Sequence, residues 1–423
     1  MIKAGIDDLL REQEGMTTIN RETIQAMQLK KLNRLLLAEK ERQGFYADAG
    51  LPEQLESLEQ LQTLPFTTDE DLAAHAASIV MLSQSRIQRV LSDATSGTTG
   101  SAKRVFYSEQ DCENTIRLFM AGLGELVFPG SRTMICMPFS GPHGLGELIS
   151  EAIRRLGAQP LKVGCGRTYL ELKKWMEEEQ PDTFVGMPVP LISMLRVLGK
   201  GSLERALISA DACPDSITAA CEKILGSRLF PHYGSREMGL GGAITCQAHA
   251  GMHLRENNVI AEIIDAEGRP VPPGEQGELV ITTIGMEAMP LIRYRTGDYT
   301  RILPGTCSCG SSVLRLDRVH RGISQNVTST GIQAAGVSME MLDELLYAHP
   351  QLVDCSAAYS DTRSIAVEAL ITSGADPAQT AESLQQDLEK HFPGTDFMVR
   401  CREAKLEDGP MYPGKRSILQ RSI

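Results

Sequence analysis

The chain has 423 residues, of which 42% are hydrophobic, and its formal net charge is −12. This length predicts two or three domains with a sizeable core, and the acidic balance argues against nucleic acid or an anionic membrane as a partner. The sequence has no signal-like apolar core at its start, no apolar run of about 18 residues and ten scattered cysteines. We therefore expect a soluble, cytoplasmic protein with reduced thiols, and nothing indicates its oligomeric state.

The first ninety residues are predicted to be mostly helical. Leucines recur at helical spacing between Met27 and Phe45. Thr67 or Thr68 precedes a run of acids, which is typical of an N-cap and a first helical turn.

From about residue 90 to residue 240, short apolar runs alternate with amphipathic segments. Strands are predicted over 133–138, 182–187 and 206–210, and helices over 148–156, 191–198 and 217–225. This alternation predicts an α/β fold with a parallel sheet flanked by helices, whose functional loops lie beyond the strand ends.

From about residue 243 to residue 318 the hydrophobic period changes to two, which predicts a smaller β subdomain. Its predicted strands are 259–264, 278–283 and 291–294. The last hundred residues are predicted to form a small α/β domain, with helices over 339–347 and 380–391 and strands over 364–371 and 397–402. We therefore predict a large N-terminal domain over 1–318, which includes the β subdomain, and a C-terminal domain over 323–423.

The segment 94–103, with the sequence ATSGTTGSAK, combines turn-forming glycines with hydroxyls and a lysine. Gly97 and Gly100 free the backbone to point N–H groups inward, and Lys103 adds a positive charge that suits phosphate oxygens. It is not a Walker A loop, because no Lys-Ser/Thr pair follows the second glycine. Residues 105–108 indicate a strand, so the segment is predicted to join two strands as a hairpin. A surface loop rich in Ser, Thr and Gly is the alternative.

This segment resembles the phosphate-loop signature TSGTTGxxK of the AMP-forming acyl-CoA synthetase and adenylating-enzyme superfamily. Five further landmarks of that superfamily resemble segments that follow in order: SADA at 209–212, YGSRE at 233–237, YRTGD at 294–298, Arg318, and GK at 414–415. Three segments resemble the phenylacetate-CoA ligase branch: LPFTTDEDL at 64–72, CQAHAGMHLREN at 246–257 and CSCG at 307–310.

The resemblance implies an enzyme that activates a small carboxylic acid with ATP and Mg²⁺ to acyl-AMP and transfers the acyl group to coenzyme A. It implies that one set of residues binds the nucleotide: Thr95, Ser96, Gly97, Thr98, Thr99, Gly100 and Lys103 at the phosphates, Ala210 and Asp211 beside the adenine, Tyr233, Gly234 and Ser235 in the stacking motif, and Asp298 at the ribose. Glu237 is the implied Mg²⁺ ligand, and Lys415 is the implied adenylation lysine on a mobile C-terminal domain. Arg318 lies at the implied domain junction.

Phe139 and His143 follow a predicted strand and are candidates for the wall of the acid pocket. A core phenylalanine and a helix-capping turn are the alternative. Arg321 falls where the family has its hinge residue, and the following segment 322–335 departs from the family pattern. Arg236 replaces the usual threonine. An adenylating enzyme without CoA transfer and a non-catalytic nucleotide-binding protein therefore stay open as alternatives.

Cys246, His253, Cys307 and Cys309 could form a closed structural Zn²⁺ site, because four nitrogen and sulfur ligands in two clusters match the usual donor set. His249 is an alternative to His253. Free thiols in a turn and an ordinary histidine are the other interpretation.

Overall fold

The computed structural model describes residues 5–42, 44–93, 103–321, 336–359, 363–412 and 414–420. Thr95, Ser96, Gly97, Thr98, Thr99 and Gly100, and the segment 322–335, therefore lie outside the described residues. Within the described ranges, no helix is both long and apolar enough to cross a bilayer.

The helices follow the predicted pattern closely. Within the described part of the chain they are α1 (Gly5–Glu14), α2 (Arg21–Arg42), α3 (Asp69–Ile79), α4 (Glu109–Leu123), α5 (Leu145–Arg155), α6 (Tyr169–Glu179), α7 (Pro188–Leu198), α8 (Asp215–Leu225), α9 (Met339–Tyr347) and α10 (Pro377–His391). The predicted cap at the start of α3 is Thr68, whose side chain accepts a hydrogen bond from the backbone N–H of Asp71. The Asp71 carboxylate accepts from the Thr68 backbone in return, so the acids after Thr68 form a capping box.

The strands are β1 (Arg89–Asp93), β2 (Lys103–Tyr107), β3 (Arg132–Cys136), β4 (Gln159–Lys162), β5 (Thr183–Gly186), β6 (Arg205–Ile208), β7 (Phe230–Tyr233), β8 (Ala243–Thr245), β9 (Met252–Leu254), β10 (Val259–Ile264), β11 (Gly277–Thr283), β12 (Tyr294–Thr300), β13 (Ile302–Leu303), β14 (Arg315–Leu316), β15 (His320–Arg321), β16 (Leu352–Tyr359), β17 (Ser364–Ile371), β18 (Asp396–Glu403) and β19 (Leu419–Gln420). The mixed α/β class with helix-flanked sheets is thus confirmed.

One predicted strand is wrong for most of its length. Residues 291–293 are not a strand, and β12 begins only at Tyr294. Arg293 has a φ of 48°, which a strand cannot accommodate, and its guanidinium group pairs with Glu262 at 3.0 Å. The apolar run indicated a strand, but a buried arginine turns the chain there.

The chain divides into two compact units, each built from separated segments. Unit 1 contains Met1–Glu125, Gly141–Leu156 and Phe230–His320, and unit 2 contains Leu126–Ser140, Gly157–Leu229 and Arg321–Ile423. The predicted boundary near residue 320 coincides with one of these junctions. The assignment of 1–318 to a single domain stays a prediction.

Unit 1 holds the phosphate-loop hairpin and antiparallel strands. β1 and β2 are antiparallel with Asp93 opposite Lys103, which confirms the predicted hairpin around segment 94–102. A second sheet has the order β10-β11-β12-β15, and β7, β8, β9, β14 and β13 are neighbours in that order. Apolar side chains of α1 and α2, such as Leu10 and Ile24, share a core with Ile244 of β8.

Unit 2 holds the predicted parallel sheet. Its strands lie in the order β4-β3-β5-β6, and each neighbouring pair is parallel. A second sheet has the order β18-β17-β16-β19. A single apolar core contains Phe184 of β5, Leu191 of α7, Leu342 of α9 and Val367 of β17. This shared burial is the physical reason that the C-terminal residues group with the parallel sheet.

Candidate active site

Lys103 is the first residue of β2, directly after segment 94–102, and it is the centre of a charged cluster in unit 1. Its ammonium group lies 2.7 Å from Oε1 of Glu237 and 3.0 Å from Oδ1 of Asp69. It also donates a hydrogen bond to the hydroxyl of Tyr294 at 3.1 Å. That hydroxyl in turn donates to Asp69. The hairpin thus places the Lys103 ammonium group beside the carboxylates of Glu237 and Asp69, directly after the predicted phosphate loop.

The charges of this cluster stabilise one another against burial. Burial lowers the pKa of Lys103, but the charges of Glu237 and Asp69 outweigh it, and the pKa lies above its ordinary value. Burial raises the pKa of Glu237, but Lys103 outweighs burial and the pKa lies below its ordinary value. Both groups are therefore ionised at neutral pH, as phosphate and metal binding require.

The stacking motif lies at the end of β7. Gly234 is restricted there, because a Cβ atom would lie 2.6 Å from the carbonyl oxygen of Leu240. Tyr233 donates its hydroxyl to Oδ2 of Asp298 at 2.7 Å. Ser235 and Arg236 lie in the turn that follows, where the carbonyl of Arg236 accepts a hydrogen bond from Tyr107 at 2.7 Å.

Asp298 lies on β12 within unit 1, next to Gly297 with its φ of 68°. Its backbone N–H donates to the Thr296 hydroxyl at 3.0 Å, and that hydroxyl donates to the carbonyl of Leu279 at 2.7 Å. The half-buried carboxylate is therefore held beside Tyr233, in the position where two hydroxyls of a ribose could be accepted. The structure brings the predicted ribose and stacking residues together.

The other predicted nucleotide residues lie in unit 2. Ala210 and Asp211 follow β6, and Ala210 has an unusual φ of 73°. The Asp211 carboxylate lies 2.8 Å from Nη2 of Arg321, the predicted hinge residue, and accepts a hydrogen bond from the backbone N–H of Arg416 at 3.0 Å. Lys415, the residue before Arg416, is exposed.

The remaining predicted residues are Arg318, Phe139 and His143. The carbonyl of Arg318 accepts a hydrogen bond from the Thr300 hydroxyl in unit 1. Phe139 is half-buried in unit 2, where Lys162 lies 5.8 Å from its ring. His143 belongs to unit 1, has a φ of 62° and accepts a hydrogen bond from Arg89 at its carbonyl. A shared role of Phe139 and His143 in an acid pocket stays a prediction.

The four predicted zinc ligands form one buried cluster in unit 1. The ligand atoms of Cys246, His253, Cys307 and Cys309 all lie within 4.8 Å of one another. Sγ of Cys246 lies 3.9 Å from Sγ of Cys307, and Sγ of Cys309 lies 3.4 Å from Nε2 of His253. His249 is not in this cluster; its ring packs against Phe230 at 4.5 Å. All ten cysteines are free thiols.

Two participants in the Lys103 cluster were missed by sequence reasoning. Asp69 has the pattern of an ordinary acid in a first helical turn, and Tyr294 was noted only as the start of the YRTGD segment. Their proximity arises because Thr67 and Tyr294 form a parallel β-bridge, which brings the start of α3 against β12. No local signal could have found this long-range contact.

Comparisons with known proteins show what this chain is similar to. The AMP-binding enzyme family matches residues 93–288. A phenylacetate-coenzyme A ligase of Thermus thermophilus is 28% identical over 361 residues, which are 81% of this chain and 79% of that protein. A phenylacetate-coenzyme A ligase of Aromatoleum evansii is 28% identical over 411 residues, which are 90% and 89% of the two chains.

A solved structure supports the fold. The crystal structure of a 2-hydroxyisobutyryl-CoA ligase in the postadenylation state, in complex with R3-HIB-AMP, has a TM-score of 0.78 at 18% identity, covering 96% of this chain and 91% of that one. The match over 93–288 contains both Lys103 and Glu237, and the relatives align far beyond it. Residues 93–288 therefore match the AMP-binding enzyme family, and most of the chain is similar to the phenylacetate-coenzyme A ligases.

Proposed function

We propose that this protein is an AMP-forming acid–CoA ligase that activates an organic acid, with aryl acids as the leading class, and transfers the acyl group to coenzyme A. The observation that carries the proposal is the 2.7 Å ion pair between Lys103 and Glu237, directly after the segment that resembles a phosphate loop. The homology to phenylacetate-coenzyme A ligases over most of the chain supports the same reaction and the aryl class.

The reaction has two balanced steps. A carboxylate oxygen of the acid attacks the α-phosphorus of ATP, and the bond to pyrophosphate breaks to give acyl-AMP. The sulfur of coenzyme A then attacks the acyl carbon, the bond to AMP breaks, and the thiol proton is released. Such transfers depend on positioning and charge neutralisation rather than on a protein nucleophile.

The residues of unit 1 suit the triphosphate end of ATP. Lys103 neutralises the β- and γ-phosphates, together with the hydroxyls and backbone N–H groups of segment 95–100. Glu237 fits a Mg²⁺ ligand, because a buried, ionised carboxylate beside a phosphate-binding lysine matches the one or two protein oxygens that this ion takes alongside nucleotide phosphates. When bound, the ion would neutralise charge on the phosphates.

The other nucleotide contacts are assigned by position. Tyr233, with Gly234 and Ser235, stacks on the adenine, and Asp298 accepts the ribose hydroxyls. Ala210 and Asp211, in the loop after β6, are assigned to the adenine. Lys415 contacts the α-phosphate and the acid carboxylate during adenylation, and Phe139 and His143 contribute to the acid pocket. Arg318 and Arg321 lie where the chain passes from one unit to the other.

We further propose that Cys246, His253, Cys307 and Cys309 bind a structural Zn²⁺ ion. In a tetrahedral site with Zn–S bonds of about 2.3 Å and a Zn–N bond of about 2.0 Å, neighbouring ligand atoms lie roughly 3.5–3.8 Å apart. The separations of 3.4 and 3.9 Å match these values, and a disulfide would need about 2.05 Å. The four ligands leave no open position, so the ion would join β9 to the 307–310 turn rather than take part in catalysis.

We place the protein in the cytoplasm, where ATP and coenzyme A are available. The absence of a disulfide among all ten cysteines supports a reducing compartment.

The test is ATP–pyrophosphate exchange across a panel of aryl and short-chain acids, with Lys415→Ala beside the wild type. Exchange that depends on one acid and is lost in the variant supports adenylation and identifies the substrate class. Acyl-CoA formation after addition of coenzyme A supports the ligase, whereas exchange without thioester indicates an adenylating enzyme alone. ATP binding without exchange for any acid would contradict the proposal.

A further inference from the structure

The loop after β6 and the C-terminal segment of unit 2 meet at the carboxylate of Asp211. Oδ2 accepts a hydrogen bond from the backbone N–H of Arg416 at 3.0 Å, and Oδ1 lies 2.8 Å from Nη2 of Arg321. Arg321 also donates from Nη1 to the carbonyl oxygen of Arg416 at 3.3 Å. Two side chains therefore hold both the N–H and the carbonyl group of one peptide residue. We call Asp211, Arg321 and the backbone of Arg416 the Asp211 brace.

The side chain of Arg416 is anchored on the opposite side. Its guanidinium group is 5% exposed and lies 2.8 Å from Oδ1 of Asp343 and 3.0 Å from Oδ1 of Asp354. It also donates to the carbonyl of Cys355 at 2.9 Å. Charge-assisted hydrogen bonds of this kind are shorter and stronger than neutral ones. Arg416 is thus held in place by both its backbone and its side chain.

Lys415 is the neighbour of this fixed residue, yet its own side chain is exposed. A lysine has a flexible four-carbon stem, so the position of its ammonium group depends on where its Cα is held. The Asp211 side chain is 8% exposed and that of Arg321 is 18% exposed, so the contacts of the brace are largely shielded from water. The brace therefore restricts the backbone next to the lysine, through the N–H and the carbonyl group of Arg416.

We propose that Asp211 and Arg321 are positioning residues for Lys415 in the adenylation step. This inference rests on the proposed function, in which Lys415 contacts the α-phosphate and the acid carboxylate. A misplacement of about 1 Å in a reacting group can reduce a rate by two orders of magnitude. The loop predicted to face the adenine thereby also sets the position of the lysine that acts at the α-phosphate.

A direct contact of Asp211 with the nucleotide is the competing role, and the two roles differ in kinetics. A lost adenine contact weakens ATP binding and raises KM, whereas a displaced Lys415 lowers kcat with little change in KM. Arg321 separates the roles further, because its guanidinium group contacts Asp211 and the carbonyl of Arg416, and no contact with the nucleotide is proposed for it.

The experiment compares Asp211→Asn and Arg321→Gln with the wild type and with Asp408→Asn. Asp408 pairs with Arg402 at 2.8 Å in the same unit, so Asp408→Asn is a matched control for the loss of a carboxylate charge. We expect kcat for ATP–pyrophosphate exchange to fall about 10- to 100-fold in both brace variants, with KM for ATP within about twofold. Transfer from preformed acyl-AMP to coenzyme A should fall much less than ATP–pyrophosphate exchange, since Lys415 is assigned to the first step alone.

Hydrogen exchange at the amide of Arg416 provides a readout independent of turnover. It should be slow in the wild type and in Asp408→Asn. It should be faster in Asp211→Asn, because a neutral amide oxygen is a weaker acceptor for the Arg416 N–H than the Asp211 carboxylate. Wild-type kcat in both brace variants, or a raised KM with kcat retained, would overturn the inference. A wild type that shows no ATP–pyrophosphate exchange with any acid would instead refute the proposed function and with it the role of Lys415. The hydrogen exchange of the Arg416 amide would still report whether the brace exists.

Discussion

Lys103 and Glu237 form an ion pair of 2.7 Å in which the side chains are 18% and 7% exposed. Removal of one partner from a buried pair leaves an uncompensated charge, whereas removal of both charges costs much less. Under the proposed function the pair links stability to nucleotide binding, and the two effects can be separated by substitution.

Lys103→Met should reduce the rate of ATP–pyrophosphate exchange by at least about 100-fold, because the phosphates lose the positive charge of Lys103. It should also destabilise the fold by about 3 kcal/mol, since Glu237 stays buried. The double variant Lys103→Met with Glu237→Gln should recover stability but not exchange. Denaturant unfolding and exchange assays measure both, with Lys173→Met on the exposed face of α6 as the control. An active Lys103→Met variant would show that this lysine does not bind phosphate.

Tyr294→Phe should retain the fold with a loss of about 1 kcal/mol, because one buried hydroxyl and its hydrogen bonds to Lys103 and Asp69 are lost. Lys103 keeps its contacts with both carboxylates, so we expect ATP–pyrophosphate exchange to fall only a few-fold, because the Lys103 ammonium group is positioned less firmly. Tyr299→Phe, at a position that is 41% exposed, should match the wild type in both assays. Equal behaviour of the two variants would exclude a role for the Tyr294 hydroxyl.

Purified protein should contain one zinc ion per chain by elemental analysis. Cys307→Ser should lose the metal and lower the melting temperature by several degrees, because the proposed ion would join two segments of unit 1 and its binding energy would contribute to folding. Cys401→Ser, a half-buried thiol on β18 outside the cluster, should keep the metal. Metal-free wild-type protein with an unchanged melting temperature would contradict the structural Zn²⁺ site.

His232 should make the protein less stable in acid. Burial lowers its pKa to about 4, and its ring stacks on Phe119 with centroids 5.0 Å apart. Between pH 6.5 and 4 the unfolded chain binds the proton that the folded chain excludes, so stability falls as pH falls, by roughly 3 kcal/mol in total for this group. Unfolding free energies measured across this window should fall less steeply for His232→Gln. His391→Gln on the exposed end of α10 should follow the wild-type curve, and parallel curves for all three proteins would exclude this role of His232.

Local patterns predicted much of the fold. The cap at Thr68, the alternation of strands and helices around β3, β5 and β6, and the hairpin before Lys103 all depend on short-range properties of the chain, and the structure confirms them. Residue type and spacing also predict the four candidate zinc ligands, and the structure brings them together. The prediction over 291–294 failed at 291–293, where Arg293 has a φ of 48° and its side chain pairs with Glu262, 31 residues away.

The sequence by itself determined the class of fold, and it predicts the phosphate-loop segment and the residue types of an adenylating site, because periodicity and motif chemistry are local. Only the tertiary structure decided which charges meet: Asp69 with Lys103, and Asp211 with Arg321 and the Arg416 backbone. These contacts join residues that are tens to hundreds of positions apart. They form only when burial of a common core brings distant segments together, and no local pattern encodes that approach.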